Sequence, residues 1–546
     1  MQATSPYQDE IALLETKTRQ LDSEIEKLMV QRAAYQRQIN GMQAATAKLP
    51  SEILSAVFQD CSRSRKRLLT LGAVCSQWRA VAWSTPKLWN ECDLYFSWQE
   101  VFRWQVDALK LWFNNCQPFG LSLSLWFAKE TDDEEEAYHW LEDDPSPEVA
   151  SDEEFLDMVF KENPQNLCAL TINYFPSGWR SRLVDCLLAG KLTNIRTLDA
   201  TNFTYSADLA GIQEADPSGT PSLTKLILRC DPIDQSFGEK TFDAFPLSHL
   251  TSLELYGVES KTALDLLLQL SNLRSFACRR LPSSHIAHIQ NRDVIELPNL
   301  LELEWDFHND EWTLFLLNNV RLPSLRRLFW NYHWQPEWDG WSHHLPPPNN
   351  LVVNFLSSLS KLKVFLGASN IFWLHPTQNG LLAALSQGLE ELHLLELDEV
   401  LSYDDFTDVL EFLTLRDQNS HEYLYSHKPP RWNFPHLKKL VFDTSCVKDL
   451  YSDRDEDDFD PLCSMIESRK NDAVEEAGDG NNDSERLCRK PHLEVMQFKA
   501  YSLNGWNRLS RLFNAFQEDF EDLETEGVSI EAEKANGEIW PWYYFV

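Results

Sequence analysis

The 546-residue sequence is poor in the features that most chemistry needs. It has only 18 glycines, and no GxGxxG, Walker or GxSxG pattern. Phosphate-cradling loops and nucleophile elbows depend on such glycines. HExxH is missing, and no CxxC pair stands among the eleven cysteines, whose closest two are fourteen residues apart. That scatter argues against a disulfide framework or a zinc site and predicts reduced, mostly buried thiols in a cytoplasmic or nuclear protein. His343-His344 lacks an acidic or cysteine partner at fixed spacing, and the acidic run at Asp453 has Asp458 where a calcium loop needs glycine. No metal and no cofactor is expected, and no catalytic residue.

Basic residues are also few: 49 Lys+Arg against 84 Asp+Glu, a net charge of −35. Nucleic-acid binding and docking on anionic membranes both draw on dense Lys/Arg, so both are disfavoured. No apolar run approaches the ~18 residues of a membrane span. Residues 1–10 carry neither a basic stretch nor an apolar one, so no secretory signal is expected and they read as a disordered tail.

Three segments hold most of the charge. Glu130–Asp157 has fourteen acidic residues and no basic one, Asp453–Glu485 has thirteen against three, and Glu518–Glu533 has eight against none. The first two read as disordered insertions, at 129–157 and 452–486. The third has partly helical periodicity through Phe516, Phe520 and Leu523. The rest of the chain is near neutral.

What is abundant is apolar patterning. Leu14, Leu21, Leu28, Tyr35 and Met42 recur every seven residues, with Ile11, Ile25 and Ile39 three residues before alternate members. This heptad seam predicts a helix over 11–46, ended by Gly41 and Pro50 and interrupted at Thr18 and Arg32. A homodimeric coiled coil is one reading. The other is a single amphipathic helix folded back on the next domain or a partner.

Leu49-Pro50 then opens a second helix, because proline is tolerated in a first turn. Ile53, Leu54, Val57 and Phe58 make one stripe at helical spacing. A further helix carries Leu71, Val74, Cys75 and Trp78, and Leu88-Trp89 follow the Pro86 turn. A unit of about 45 residues has little core of its own and calls for a partner.

These residues resemble the F-box: Leu-Pro, Glu-Ile-Leu, a phenylalanine one turn later, Val-Cys-x-x-Trp-Arg and a closing Leu-Trp. The resemblance implies a three-helix module over 48–95 that docks on the SKP adaptor of SCF ubiquitin ligases, and through it on a cullin. By that resemblance Leu49, Pro50, Ile53, Leu54, Phe58, Val74, Cys75, Trp78, Leu88 and Trp89 match adaptor-facing and core positions. Phe58, Val74 and Trp78 read equally as filling the module's own core. The basic run Arg63–Arg67 reads as a solvated loop or as a face for an acidic partner surface.

From residue 165 a Leu-x-x-Leu-x-Leu motif recurs, as in SLTKLIL at 222–228, HLTSLEL at 249–255 and SLRRLFW at 324–330. Its first anchors, from Leu167 to Leu493, are separated by 28, 28, 27, 23, 27, 25, 37, 27, 48 and 56 residues. Most of these gaps suit leucine-rich repeats. The pattern resembles an irregular leucine-rich-repeat solenoid of α/β class over 121–546, with parallel strands on a concave side and helices or loops on the convex side. Leu121–Phe127 is expected to open the array. A linker helix within 96–120 would join it to the F-box, 262–270 and 406–415 would be convex helices, and the last eight residues would cap the end. The order of heptad helix, F-box and repeats resembles a large group of fungal (mushroom-type) F-box proteins.

If the repeats are in register, Lys225, Arg229, Tyr256, Arg279, Glu302, Glu304 and Arg327 face outward. Their mixed charge suits a protein target, or ordinary solvent-facing strand residues. Trp334, Trp338 and Trp341 cluster in the insertion after SLRRLFW, either as target anchors or as packing of a long loop. The function implied is a non-catalytic substrate receptor of an SCF-type ligase whose target is unknown. The alternative is an interaction scaffold with a vestigial F-box.

Overall fold

In the computed structural model, the described residues are 6–43, 49–61, 65–96, 101–127, 148–174, 177–201, 222–229, 247–279, 294–307, 310–331, 347–368, 388–395, 436–443, 493–500, 528–534 and 539–541, with a few single residues between them. Helix α1 (Pro6–Gln43) leads the chain. It begins inside the segment expected to be a disordered tail and runs through Gly41, so that glycine does not end it. A lone helical glycine costs only about 1 kcal/mol, and here it falls near the end.

Three short helices follow: α2 (Ser51–Cys61), α3 (Arg65–Val74) and α4 (Ser76–Trp83). One helix had been expected across α3 and α4. The break is at Cys75, whose backbone is extended (φ −157°, ψ 170°). Its Sγ accepts from the Trp78 N–H at 3.4 Å, so cysteine takes the capping place usually held by serine or aspartate.

Among the described residues, a sheet of fifteen strands organises the rest. Its first strand is β1 (Glu91–Phe96), not the expected Leu121–Phe127, which is β2 and pairs parallel to it. The sheet therefore starts inside the segment assigned to the F-box. α5 (Arg103–Asn115) is the crossover between these two parallel strands, with Val106, Leu109 and Trp112 buried, and so is core rather than linker. Parallel neighbours need such a crossover.

Then come β3 (Leu167–Asn173), β4 (Thr197–Thr201), β5 (Lys225–Arg229), β6 (Ser252–Tyr256), β7 (Ser275–Arg279), β9 (Glu302–Asp306) and β11 (Arg327–Asn331). They continue as β12 (Val364–Ala368), β13 (Glu391–Leu395), β14 (Lys439–Asp443), β15 (Val495–Ala500), β16 (Ser529–Lys534) and β17 (Ile539–Pro541). Two short strands, β8 (Ile295–Glu296) and β10 (Val320–Arg321), pair separately. Each neighbouring pair in the large sheet is parallel except the last, where β17 closes the edge antiparallel to β16. β16 had not been expected, because Ser-Ile-Glu-Ala-Glu-Lys lies in the third acidic run.

Alternation explains the core. Leu198, Leu226, Leu253, Phe276, Leu303, Leu328, Phe365, Leu392, Leu440, Met496 and Ile530 are successive register partners, all buried. A one-residue slip would turn every member of that row outward, so register is strongly specified. Helices such as Ser260–Gln269, Glu311–Asn319 and Asn349–Ser358 pack their apolar sides against the sheet. The first of these is the helix expected at 262–270.

Two acidic segments differ from expectation. Asp152–Asp157 is a helix capped by Ser151, with Phe155 and Leu156 buried. Glu154 binds Arg103 (2.6 Å) and Lys110 (3.4 Å), and Glu153 binds Arg182 (2.5 Å), so this end of the run is tied to the body. Within 452–486, Met465 is fully buried. Residues 128–147 and most of 452–486 lie outside the described residues, as do Trp334, Trp338, Trp341, Phe516, Leu523 and all but Leu413 of the helix expected at 406–415. Among the described residues, no helix is long and apolar enough to cross a membrane.

Candidate functional site

The conserved geometry of a helix puts residues three and four apart on one face. In α2 this divides the single stripe read from sequence into two. Leu54 and Phe58 point inward and are buried, while Ile53 (50% exposed) and Val57 (45% exposed) point to solvent. Phe58 packs on Trp78 with ring centroids 5.0 Å apart. Thr85 ties α4 to α2 through Ser55 at 3.1 Å. Gly72 is needed in α3 because a Cβ there would collide with the Trp83 ring.

The ten residues matched to the motif thus separate. Leu54, Phe58, Leu88 and Trp89 are buried and build the module's core, so they cannot touch a partner in this conformation. Trp78 is half-buried between core and surface. Leu49, Pro50, Ile53, Val74 and Cys75 are exposed, and Val57 and Leu69 join them. Sequence periodicity could not tell the two sets apart: both fall on helical spacing, and only the position of α4 decides which side is covered.

Trp89 also explains how the module joins the sheet. Its ring lies 5.0 Å from Trp83 and 4.9 Å from Trp112, both edge-on. Its indole N–H donates to the Ala82 carbonyl (2.9 Å), and that of Trp112 donates to the Glu91 carbonyl (2.7 Å). Three tryptophans from α4, the Pro86–Trp89 turn and α5 make one continuous core with the sheet.

The second candidate surface is the outward face of the sheet. Pairing places Lys225, Ser252, Ser275, Glu302 and Arg327 in one row, and Arg229, Tyr256 and Arg279 in another. This is the register expected from the repeats. Most of these charges are paired within the face. Lys225 meets Glu254 (2.9 Å), Arg229 meets Asp199 (3.4 Å) and Arg327 meets Glu302 (3.5 Å). Arg279 makes a two-pronged contact with Glu304, donates to the Tyr256 hydroxyl, and lies 5.0 Å over the Tyr256 ring. Burial opposes the charge on the Arg279 guanidinium, but Glu304 outweighs it and raises its pKa. Burial also pushes the Asp199 carboxyl up, against the pull of Arg229.

Further along, the character changes. Phe329, Leu366 and Val441 form a small apolar cluster on the outward side, with His393 in register between Leu366 and Val441. His393 bonds Glu391 at 3.2 Å, and burial lowers its pKa below the usual histidine value.

One exposed pair was missed in the sequence. Tyr95 (68% exposed) and Trp126 are register partners on β1 and β2, stacked with centroids 6.2 Å apart. The signal was available: Glu-Cys-Asp-Leu-Tyr-Phe alternates as cleanly as Leu-Ser-Leu-Ser-Leu-Trp-Phe, and both place an aromatic ring outward.

Of the described thiols, Cys61 and Cys75 are exposed. Cys92, Cys116, Cys186 and Cys278 are buried, and burial pushes Cys116 up to about 11. No group of three or more metal-ligating side chains occurs among the described residues.

In a comparison with protein families, residues 46–95 match the F-box-like family. The match covers α2, α3, α4 and β1, and supports reading the chain as an F-box protein. F-box domains generally bind SKP adaptors. No curated protein matches the chain.

Proposed function

We propose that this chain is the substrate-recognition subunit of an SCF-type E3 ubiquitin ligase. The F-box-like module docks on the SKP adaptor and so on a cullin, and the outward face of the sheet, read as an irregular leucine-rich-repeat solenoid, holds a target protein. The observation that carries this reading is the exposed stripe of Leu49, Ile53, Val57, Leu69 and Val74, on the module that matches the F-box-like family. A module of that size gains by covering such a stripe with a partner. α1 adds a route to self-association.

The subunit needs no chemistry of its own. It raises the effective concentration of target lysines near activated ubiquitin. The internally paired charges favour a target of mixed charge, chosen by complementary pairs rather than by one sign. Tyr95 and Trp126 are the aromatic anchors best placed for it, since exposed aromatics are enriched at binding hot spots. The place of action on this reading is the cytoplasm, the nucleus or both.

The test is capture of purified SKP adaptor by the full chain. Wild type binds, and Ile53→Asp combined with Val74→Asp does not, while both melt alike. A wild-type chain that ignores the adaptor would leave an interaction scaffold as the better reading.

A further inference from the structure

Helix α1 leaves its apolar seam bare. Ile11, Leu14, Leu21, Ile25, Leu28, Tyr35 and Ile39 are each about half exposed, between 47% and 65%. Among the described residues, nothing packs on them closely enough to bury them. Seven large apolar side chains in one stripe call for a cover.

The identities of the seam residues say how many helices would close it. Isoleucine alternates with leucine across it (Ile11, Leu14; Ile25, Leu28), β-branched in one position and leucine in the other, a pattern that suits two strands rather than three or four. Thr18 is less of an interruption than its polarity suggests. Its hydroxyl donates to the Leu14 carbonyl at 3.0 Å, one turn back on the same helix. The hydroxyl is satisfied before any partner arrives. Arg32 is then the one charged residue among the seam positions.

Charge along the helix chooses the orientation. Residues 6–26 carry Asp9, Glu10, Glu15, Asp22, Glu24 and Glu26 against Lys17 and Arg19, a net of −4. Residues 27–43 carry Lys27, Arg32 and Arg37 and no acid, a net of +3. A parallel, in-register pair sets Arg32 against its own copy and the acidic half against the acidic half. An antiparallel pair sets each acidic half against a basic half.

We infer that α1 joins two copies of this chain as an antiparallel two-helix coiled coil. Full overlap puts Ile25 opposite Leu28 of the second copy, Leu21 opposite Arg32, Thr18 opposite Tyr35 and Leu14 opposite Ile39. Arg32 then reaches the turn bearing Asp22, where its charge is compensated. The shallow recess lined by Ile11, Leu14, Glu15, Thr18 and Arg19 receives Tyr35 and Ile39 of the second copy. At 1.5 Å rise per residue, the two Gln43 ends lie about 50 Å apart, against about 10 Å in a parallel pair. The two F-box-like modules are thereby held at opposite ends of one rod.

The experiment uses the full chain. Sedimentation equilibrium is expected to give twice the 63.4 kDa chain mass. Leu21→Glu with Leu28→Glu should weaken self-association at least tenfold and leave the melting of the body unchanged. A benzoylphenylalanine photo-crosslinker at position 21 should attach to the peptide around Arg32 of the other copy. A 63.4 kDa wild-type species at tens of micromolar overturns the inference, and so does a crosslink that joins position 21 to the peptide around position 21. Adaptor capture by the doubly substituted chain keeps this test separate from the F-box reading. The two can fail independently.

Discussion

On the F-box-like module, Ile53, Val57 and Val74 stand in water as plain hydrocarbon. On the outward face of the sheet, Lys225, Arg229, Arg279 and Arg327 each hold a carboxylate of the same face. The first surface is unsatisfied and gains free energy from any complementary apolar cover. On the second these cations are already paired, and a ligand must replace contacts it breaks. The contrast suits a constant partner on one side and a selective one on the other, since like-for-like exchange of charge pairs discriminates more than it binds.

Five substitutions, one of them repeated in a Glu304→Leu background, would break or sharpen this contrast. The largest effect belongs to the junction between the surfaces. Trp89→Ala removes a fully buried ring that touches two other tryptophans and should cost about 3–5 kcal/mol in chemical denaturation. If the loss is below about 1 kcal/mol, the continuous core is wrong. Next is Ile53→Asp, expected to leave stability within about 0.5 kcal/mol and to cost about 2 kcal/mol or more of adaptor affinity by calorimetry. Leu54→Asp, one residue on, should instead unfold the module, because Leu54 is buried.

Arg279→Leu tests the satisfied face. Glu304 is only 12% exposed and would lose its main donor, at a cost of about 1–3 kcal/mol. In the background of Glu304→Leu the same change should cost much less, which a double-mutant cycle reads directly. The smallest effect is His393→Gln. Burial lowers the folded-state pKa of His393, so just below the ordinary histidine range the unfolded chain binds the extra proton. Stability is then full above pH 6.5 and falls as pH drops below it. His393→Gln should flatten that part of the pH–stability curve.

The sequence made some of this legible and hid the rest for physical reasons. Strand register along the sheet was readable because each Leu-x-Leu anchor marks a buried side, and Lys225, Ser252, Ser275, Glu302 and Arg327 fell into one row as expected. The α3–α4 break was not, since no glycine or proline marks it and Cys75 is an unusual cap. β16 was hidden because Ser529, Glu531 and Glu533 present polar or charged side chains while Ile530 and Ala532 alone carry the burial within the strand. On the F-box-like module, Ile53 and Leu54 are neighbours of equal hydropathy. What separates them is the packing of α4, which no local pattern encodes.

The tryptophan junction has a mechanical meaning. Trp83, Trp89 and Trp112 lock the F-box-like module onto the first strands, so under the proposed function the sheet would work as a ruler whose zero is the adaptor. Strands advance about 4.8 Å each, so a target seated at β6 and one seated at β14, six neighbours on, would sit roughly 30 Å apart along that ruler. The strand a target chooses would fix how far its lysines lie from the ubiquitin donor. Reach would be written into position along the chain rather than into affinity.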